Sequence, residues 1–367
     1  MGKEKITYIL GAGASIGAFP LVKPSEKWVN KGLADSFIDK ADYFESLDGN
    51  EFKNLITASL REVGKKGKEF GNIDSYAKYL YHTQQPRKLS ELKLALTFYF
   101  SHTQLCQIHN DKRYINFVTS VITQKHQFPD NVKILNWNYD YLLEKAFMLY
   151  RKEEFGEGGG AAHRSHPFAD YFPHCGYEFN LTHHQTVTDS FSIVHLNGIA
   201  GFYLKKNNSG NGVFHSIFND LSANEYDTHI NEKKLMLAFE NEYSHSSHLM
   251  TFAWEIGSQT KEYLVNCNKI AKKIIKDTTT LVIIGYSFPF YNREVDNMIF
   301  DALKPSLKKI YYQDPNINGD FLRNRYDLEI ITKRPISETA LKFVSKVSEV
   351  KIEQITDLDQ FYIPVEL

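Results

Sequence analysis

The sequence predicts an α/β fold: a Rossmann-like parallel sheet with helices on both faces, carrying a large helical insertion. Three observations predict it. An apolar strand at 5–10 runs straight into glycines at 11, 13 and 17. Strand-like and helix-like periods alternate along the chain, as they do in parallel sheets. Five strand ends carry glycine or polar residues, and such sheets bind ligands beyond those ends.

Taken in order, "KITYIL" (5–10) reads as a buried strand closed by Gly11. Within "SEKWVNKGLADSF" (25–37), Trp28 or Val29, Leu33 and Phe37 share a helical face, with Ser25 as N-cap. The run "REVGKKGKEF" (61–70) mixes charges and reads as a solvated loop. Ile73, Tyr76, Ala77 and Leu80 have helical period, and further helices are expected over 89–109 and 112–124. "NVKILNWNYD" (131–140) is a strand that turns polar at Asn136, and "FSIVHLNG" (191–198) is a third. Between them, 152–174 is rich in glycine and histidine and reads as a mobile loop. The stretch 201–250 is polar and shows no assignable period. A helix through Leu264, Cys267, Ile270, Ala271 and Ile274 leads into "TTLVIIGYSFPFYNREVDNMIF" (279–300), the clearest strand–loop–helix unit. "KKIYYQDPN" (308–316) supplies a fifth strand and "DLEIITK" (327–333) a candidate sixth.

The expected organisation is a Rossmann-like core from 1–24, 128–200 and 275–335. A helical insertion occupies 25–127. A second insertion, ending in a helix that returns to the core, occupies 201–274, and 336–367 is a C-terminal tail.

The 367 residues include 43 basic and 44 acidic side chains, a net charge of −1. That balance offers no strong sequence-independent grip on nucleic acid, which needs a clustered basic surface. Cys106, Cys175 and Cys267 are scattered, with no Cys-x-x-Cys spacing for a zinc ribbon and no disulfide framework. No signal-peptide pattern opens the chain, and no stretch reaches the roughly 20 apolar residues of a membrane span. A reduced, cytoplasmic life is the expectation.

Gly11, Gly13 and Gly17 are spaced one residue more widely than the usual dinucleotide fingerprint. Two uses compete evenly for them: cradling a phosphate at a helix start, or making a tight turn that packs helix on strand. A dehydrogenase would add an acidic residue at a second strand end, roughly 20 positions on. Asp35 is at that distance but inside a helical pattern, which speaks against hydride transfer.

Together the strand-end motifs resemble the sirtuin family in its broad sense of NAD-consuming domains. Gly-Ala-Gly-Ala-Ser at 11–15 is similar to the family's phosphate loop, which includes Gly11, Ala12, Gly13 and Ser15 as dinucleotide-binding positions. Asn138-Tyr139-Asp140 is similar to its Asn-x-Asp signature, and His195 to its catalytic histidine, though two residues separate it from Gly198. Gly285-Tyr286-Ser287 is similar to the late Gly-x-Ser loop, and Asn316 to the asparagine near the adenosine ribose. The matches keep the family's order across most of 6–316.

Two departures bear on activity. Family deacylases carry a four-cysteine zinc module where this chain has Cys267 alone, and a Pro-Asp-Phe-Arg segment where it reads "FPLVKPSEKW". Both differences point to the bacterial branch associated with phage defence, whose members hydrolyse NAD. "NIDSYAKYL" (72–80) and "DKRYINFV" (111–118) also resemble that branch. The resemblance implies NAD as substrate, no metal, a homo-oligomer and a ring-forming DNA-translocase-type ATPase as partner. It implies neither direct nucleic-acid binding nor a membrane.

The residues suit that chemistry. Cleaving the nicotinamide–ribose bond passes through an oxocarbenium-like centre. Asn138 can orient the ribose and a water through a neutral carboxamide, and His195 is the natural general base. Asp140 can orient Asn138 or polarise a ribose hydroxyl, while Ser15 and Ser287 can bond phosphate or ribose oxygens. Tyr286, Phe288 and Phe290 are expected to pack rather than stack on nicotinamide. His163, His166, His174, Cys175, His183 and His184 crowd one stretch, but their spacings follow no closed zinc pattern and suit a flap over the cleft. The alternatives are a non-catalytic sensor of NAD or ADP-ribose, which would not depend on His195, and an NAD-dependent deacylase or ADP-ribosyl transferase.

Overall fold

The computed structural model describes residues 4–21, 32–107, 111–124, 128–155, 191–206, 212–216, 232–243, 246–248, 250–255, 261–315, 318–337 and 340–367. Strand β1 (Ile6–Leu10) is buried at every position, the pattern of a strand covered on both faces. Helices α1 (Leu33–Glu45), α2 (Glu51–Glu69), α3 (Ile73–His82), α4 (Pro86–His102) and α5 (Lys112–Val121) precede β2 (Val132–Asn136). Next come α6 (Leu142–Phe155) and β3 (Ser192–His195). The stretch without assignable period holds β4 (Phe202–Lys206), β5 (Gly212–Ser216), α7 (Glu232–Tyr243) and β6 (Ser246–His248). Helix α8 (Lys261–Ile275) leads into β7 (Thr280–Ile284), α9 (Arg293–Leu303), β8 (Lys309–Gln313) and α10 (Phe321–Tyr326). The chain closes with β9 (Glu329–Ser337), β10 (Ala340–Glu349) and β11 (Lys351–Ile355).

Six strands form one parallel sheet in the order β11-β8-β7-β1-β2-β3, flanked by helices. The chain winds outward from β1 through β2 to β3, then returns across β1 to β7, β8 and β11. The reversal puts the topological switch point beside β1, where open α/β sheets bind ligands. Register reinforces this. Leu10, Asn136 and His195 stand level on one side, and Leu10, Ile284, Gln313 and Ile355 on the other. The polar turns therefore leave the sheet from one row.

Successive residues of β1 serve opposite faces. Tyr8 meets Phe117 of α5 edge-on at 5.1 Å, and Thr7 bonds Thr278 at 2.7 Å. In the helical layer α4 is buried continuously from Leu92 to His102, so it is a core helix rather than an amphipathic one.

Several expectations are corrected. Residues 61–70 are not a solvated loop: 61–69 complete α2, which starts with the Asn50 side chain accepting from the Lys53 amide. In this second half the buried positions are Val63, Gly64 and Gly67, so the core face carries little apolar signal. A Cβ on Gly64 would lie 2.6 Å from Ile38 and 2.7 Å from the Ala34 carbonyl, so α1 and α2 touch almost backbone to backbone. The strand containing "EIITK" does not join the sheet but pairs with β10 as an antiparallel hairpin. The sheet's sixth strand comes instead from the stretch read as a tail, as β11 beside β8. The helix expected from Ser25 is described from Leu33, since 22–31 lie outside the described residues.

Residues 250–255 tie the helical layer to the strand ends. Lys93 of α4 pairs with the buried Glu255 at 2.6 and 2.8 Å. Thr251 donates its amide to the Asn197 carbonyl at 2.8 Å and accepts from the Tyr139 hydroxyl at 3.2 Å. Among the described residues no helix is long and apolar enough to cross a membrane.

Candidate active site

The turn after β1 is a short 3-10 segment, Ala12–Ser15, seated on the turn after β7. Gly13 donates to the Gly285 carbonyl at 2.9 Å, and Gly11 to that of Ile284 at 3.0 Å. A Cβ on Gly285, which has φ +57°, would lie 2.4 Å from Gly13 Cα; one on Gly11 would lie 2.6 Å from the Gly285 carbonyl. Loop-on-loop contact thus accounts for these glycines. It also engages amides that a phosphate would need, since Gly11, Gly13 and Ala14 all donate within the protein.

The turn after β2 leans on the first. Asn138 donates its amide to Asn136 Oδ1 at 2.9 Å, an Asx turn. Its side-chain Nδ2 donates to the Gly11 carbonyl at 2.9 Å and to Ser15 Oγ at 3.0 Å. A carbonyl can only accept, so the amide orientation is fixed, and Oδ1 is left to accept from a ligand. Ser15 donates to Asp140 Oδ2 at 2.7 Å; its proton is then spent, so the Tyr114 hydroxyl donates to it at 3.0 Å. Asp140 also caps α6 by accepting from the Leu142 amide at 3.2 Å. Burial pushes the Asp140 carboxyl up to about 6, against the bonds from Ser15 and Leu142. Beneath this turn, the widened helical segment Thr103–Gln107 presents Gln104 Oε1 to the Tyr141 amide at 2.8 Å.

His195 lies at the end of β3, fully buried. Nδ1 donates to the Asn138 backbone carbonyl at 3.3 Å, and Nε2 meets Glu144 Oε1 at 2.8 Å. Burial alone would lower its pKa. The Glu144 carboxylate and the bond to the Asn138 carbonyl outweigh it, leaving the ring above its ordinary value. The residue expected as general base therefore has both nitrogens engaged.

The late loop divides. Tyr286 stacks on Trp137 at 5.6 Å and donates to Asp296 at 2.9 Å, while burial pushes the Asp296 carboxyl up to about 7. Phe288, at φ +53°, sits in an aromatic core with Phe300, Phe321 and Tyr326. Phe290 is 72% exposed, its ring edge-on to Tyr291 at 6.0 Å. Ser287 is also exposed, and no bond joins it to the Ser15 cluster.

Beside Gly13 and Gly285, at the switch point, lies a cavity of about 70 Å³ walled also by Arg113, Gln313, Asp314 and Leu358. That is smaller than the roughly 300–1,000 Å³ of typical small-molecule pockets, and its walls do not include Asn138, Asp140 or His195. Arg113 donates to the Ala14 carbonyl at 2.7 Å, pairs with Asp111 and lies over Phe361. Gln313 binds the chain end, donating to the Gln360 carbonyl at 2.8 Å and accepting from the Tyr362 amide at 3.1 Å.

The structure thus gathers Gly11, Gly13, Ser15, Asn138, Asp140, His195 and Gly285, with Ala12 exposed at the edge of the turn. Asn316 and the cluster from His163 to His184 lie outside the described residues. Among the described residues no group of three or more His, Cys, Asp or Glu is placed to hold a metal. Glu144, Tyr114 and Arg113 were missed. Glu144 had a signal, because it follows Asp140 by one helical turn. Tyr114 and Arg113 sit just after the cap Asp111, whose side chain accepts from the Arg113 amide at 2.9 Å. No known family model matches this chain, and no curated protein sequence does either.

Proposed function

We propose that the chain is an NAD+ hydrolase that releases nicotinamide and ADP-ribose. One observation carries this reading: the Asn138 carboxamide, pinned between the Gly11 carbonyl and Ser15, offers its oxygen beside the switch point of the sheet. A neutral acceptor suits an oxocarbenium-like ribosyl centre, since it orients a hydroxyl or water without carrying a proton of its own. The water oxygen bonds to C1′ as the bond from C1′ to the pyridinium nitrogen breaks. That bond's electron pair leaves with neutral nicotinamide, and the water's proton passes to His195 Nε2 and then to solvent. Asp140 orients Ser15, and Ser15 orients Asn138. Gly11, Gly13 and Gly285 bring the two loops close enough for the ligand to span them.

The small cavity and the engaged imidazole accord with a resting state that must open before turnover. Control by assembly, by a ring-forming ATPase partner and by phage infection rests on the sirtuin resemblance alone. The sealed position of His195 also favours a second reading, a binding domain that senses NAD or ADP-ribose without cleaving it.

The deciding experiment incubates the purified protein with NAD, alone and with candidate partners, and quantifies nicotinamide. Asn138→Ala and His195→Ala are each expected to lose roughly 10²–10⁴-fold in turnover. Undiminished activity in both removes the assigned chemistry. Tight binding without nicotinamide release, under every activating condition, leaves the sensor.

A further inference from the structure

We propose that Glu144 is a positioning residue for His195, forming with it a buried pair that carries one shared proton. This deepens the hydrolase reading and rests on it for its catalytic use. The geometry is specific. The Asn138 carbonyl can only accept, so His195 Nδ1 carries a hydrogen and the tautomer is set. Nε2 is then the ring's basic atom, and Glu144 Oε1 stands 2.8 Å from it. The second oxygen, Oε2, is buried and has no hydrogen-bond partner. A carboxylate with half its capacity unused is costly in the interior unless a charge faces it.

The simplest way to satisfy both groups is a single proton between Nε2 and Oε1. Among the described residues, Glu144 and, more weakly, Asp140 are the charged groups acting on the ring. Turnover begins from the pair without that proton, once the Nε2–Oε1 contact has opened: when a water attacks C1′, its O–H bond breaks, the proton goes to Nε2, and the bridge to Glu144 re-forms around it. The Glu144 carboxylate raises the affinity of Nε2 for it and keeps the ring from turning. The same pair holds the Asn138 peptide through Nδ1, so one glutamate supports two of the three expected catalytic residues, Asn138 and His195.

The test begins on the resting protein and needs no turnover. Nitrogen-15 spectra of histidine-labelled protein, with His195 assigned by its loss in His195→Asn, report tautomer and titration midpoint. In the wild type the ring should hydrogenate at Nδ1 and titrate above the ordinary histidine range. Glu144→Gln should lower the midpoint by about one pH unit or more, and Glu144→Asp should restore part of it. In NAD cleavage, Glu144→Gln should cut kcat about 10–100-fold with KM little changed, and move the rising limb of the pH profile to lower pH. An unchanged midpoint and tautomer in a folded Glu144→Gln protein overturns the proposal. A midpoint that shifts as expected, while neither protein cleaves NAD with any partner, upholds the pair and removes the hydrolase reading instead.

Discussion

At the scale of single residues, the site depends on which atom of a side chain faces which. Asn138 could be read from the sequence as a polar residue after a strand; that its two amide hydrogens are spent inward could not. Asn138→Asp changes almost no volume but sets a carboxylate oxygen against the Gly11 carbonyl. It should abolish NAD cleavage as fully as Asn138→Ala and also destabilise by about 1–3 kcal/mol, measured by urea unfolding. A variant as stable as the wild type would mean that the carboxamide is not pinned. His195 was legible as a strand-end histidine, yet its inward partner lies 51 residues earlier in the chain, and no local pattern pairs the two.

At the scale of elements, the turns after β1 and β7 behave as one unit. Gly285→Ala would need a left-handed backbone, costing about 1–2 kcal/mol, and would push its methyl into Gly13. The expected result is a lower thermal midpoint together with lost NAD cleavage, because the contact and the site are the same atoms. In the helical layer, His102 of α4 joins α1 to α7. It accepts from Lys40 at Nδ1 (3.0 Å) and therefore donates from Nε2 to Glu232 at 3.0 Å. Burial, then Lys40, depresses its pKa to about 4, against the pull of Glu232. Below its ordinary value of about 6.5 the unfolded chain takes up a proton that the folded one refuses, so this contribution to stability falls as pH drops from there toward about 4. The stability difference between wild type and His102→Gln should shrink across that window; a constant difference would contradict a neutral, buried ring. The alternation of strands and helices was legible because five of the six sheet strands are apolar runs. The second half of helix α2 was not, since from residue 61 on its buried positions are Val63, Gly64 and Gly67, and one apolar side chain among charges shows no period.

For the whole molecule, the parallel sheet and the polar turns at its rim followed from the sequence, but its far edge did not. Strand β11 reads "KIEQI", half exposed and with no clean alternation, because an edge strand beyond β8 needs little apolar cover. The residues after it return under the site: Phe361 packs on Tyr114 at 4.7 Å and on Phe117, and Tyr114 holds Ser15. Phe361→Ala should cost about 3–5 kcal/mol in chemical unfolding, and NAD cleavage should fall with it. A neutral outcome would detach the chain end from the core. One consequence of strand order concerns synthesis. Ile6–Leu10 leaves the ribosome before either of its sheet neighbours, Val132–Asn136 on one side and Thr280–Ile284 on the other. Until residue 284 has been translated, the nascent chain carries an apolar strand with an open flank, a target for chaperones and a seed for misassembly.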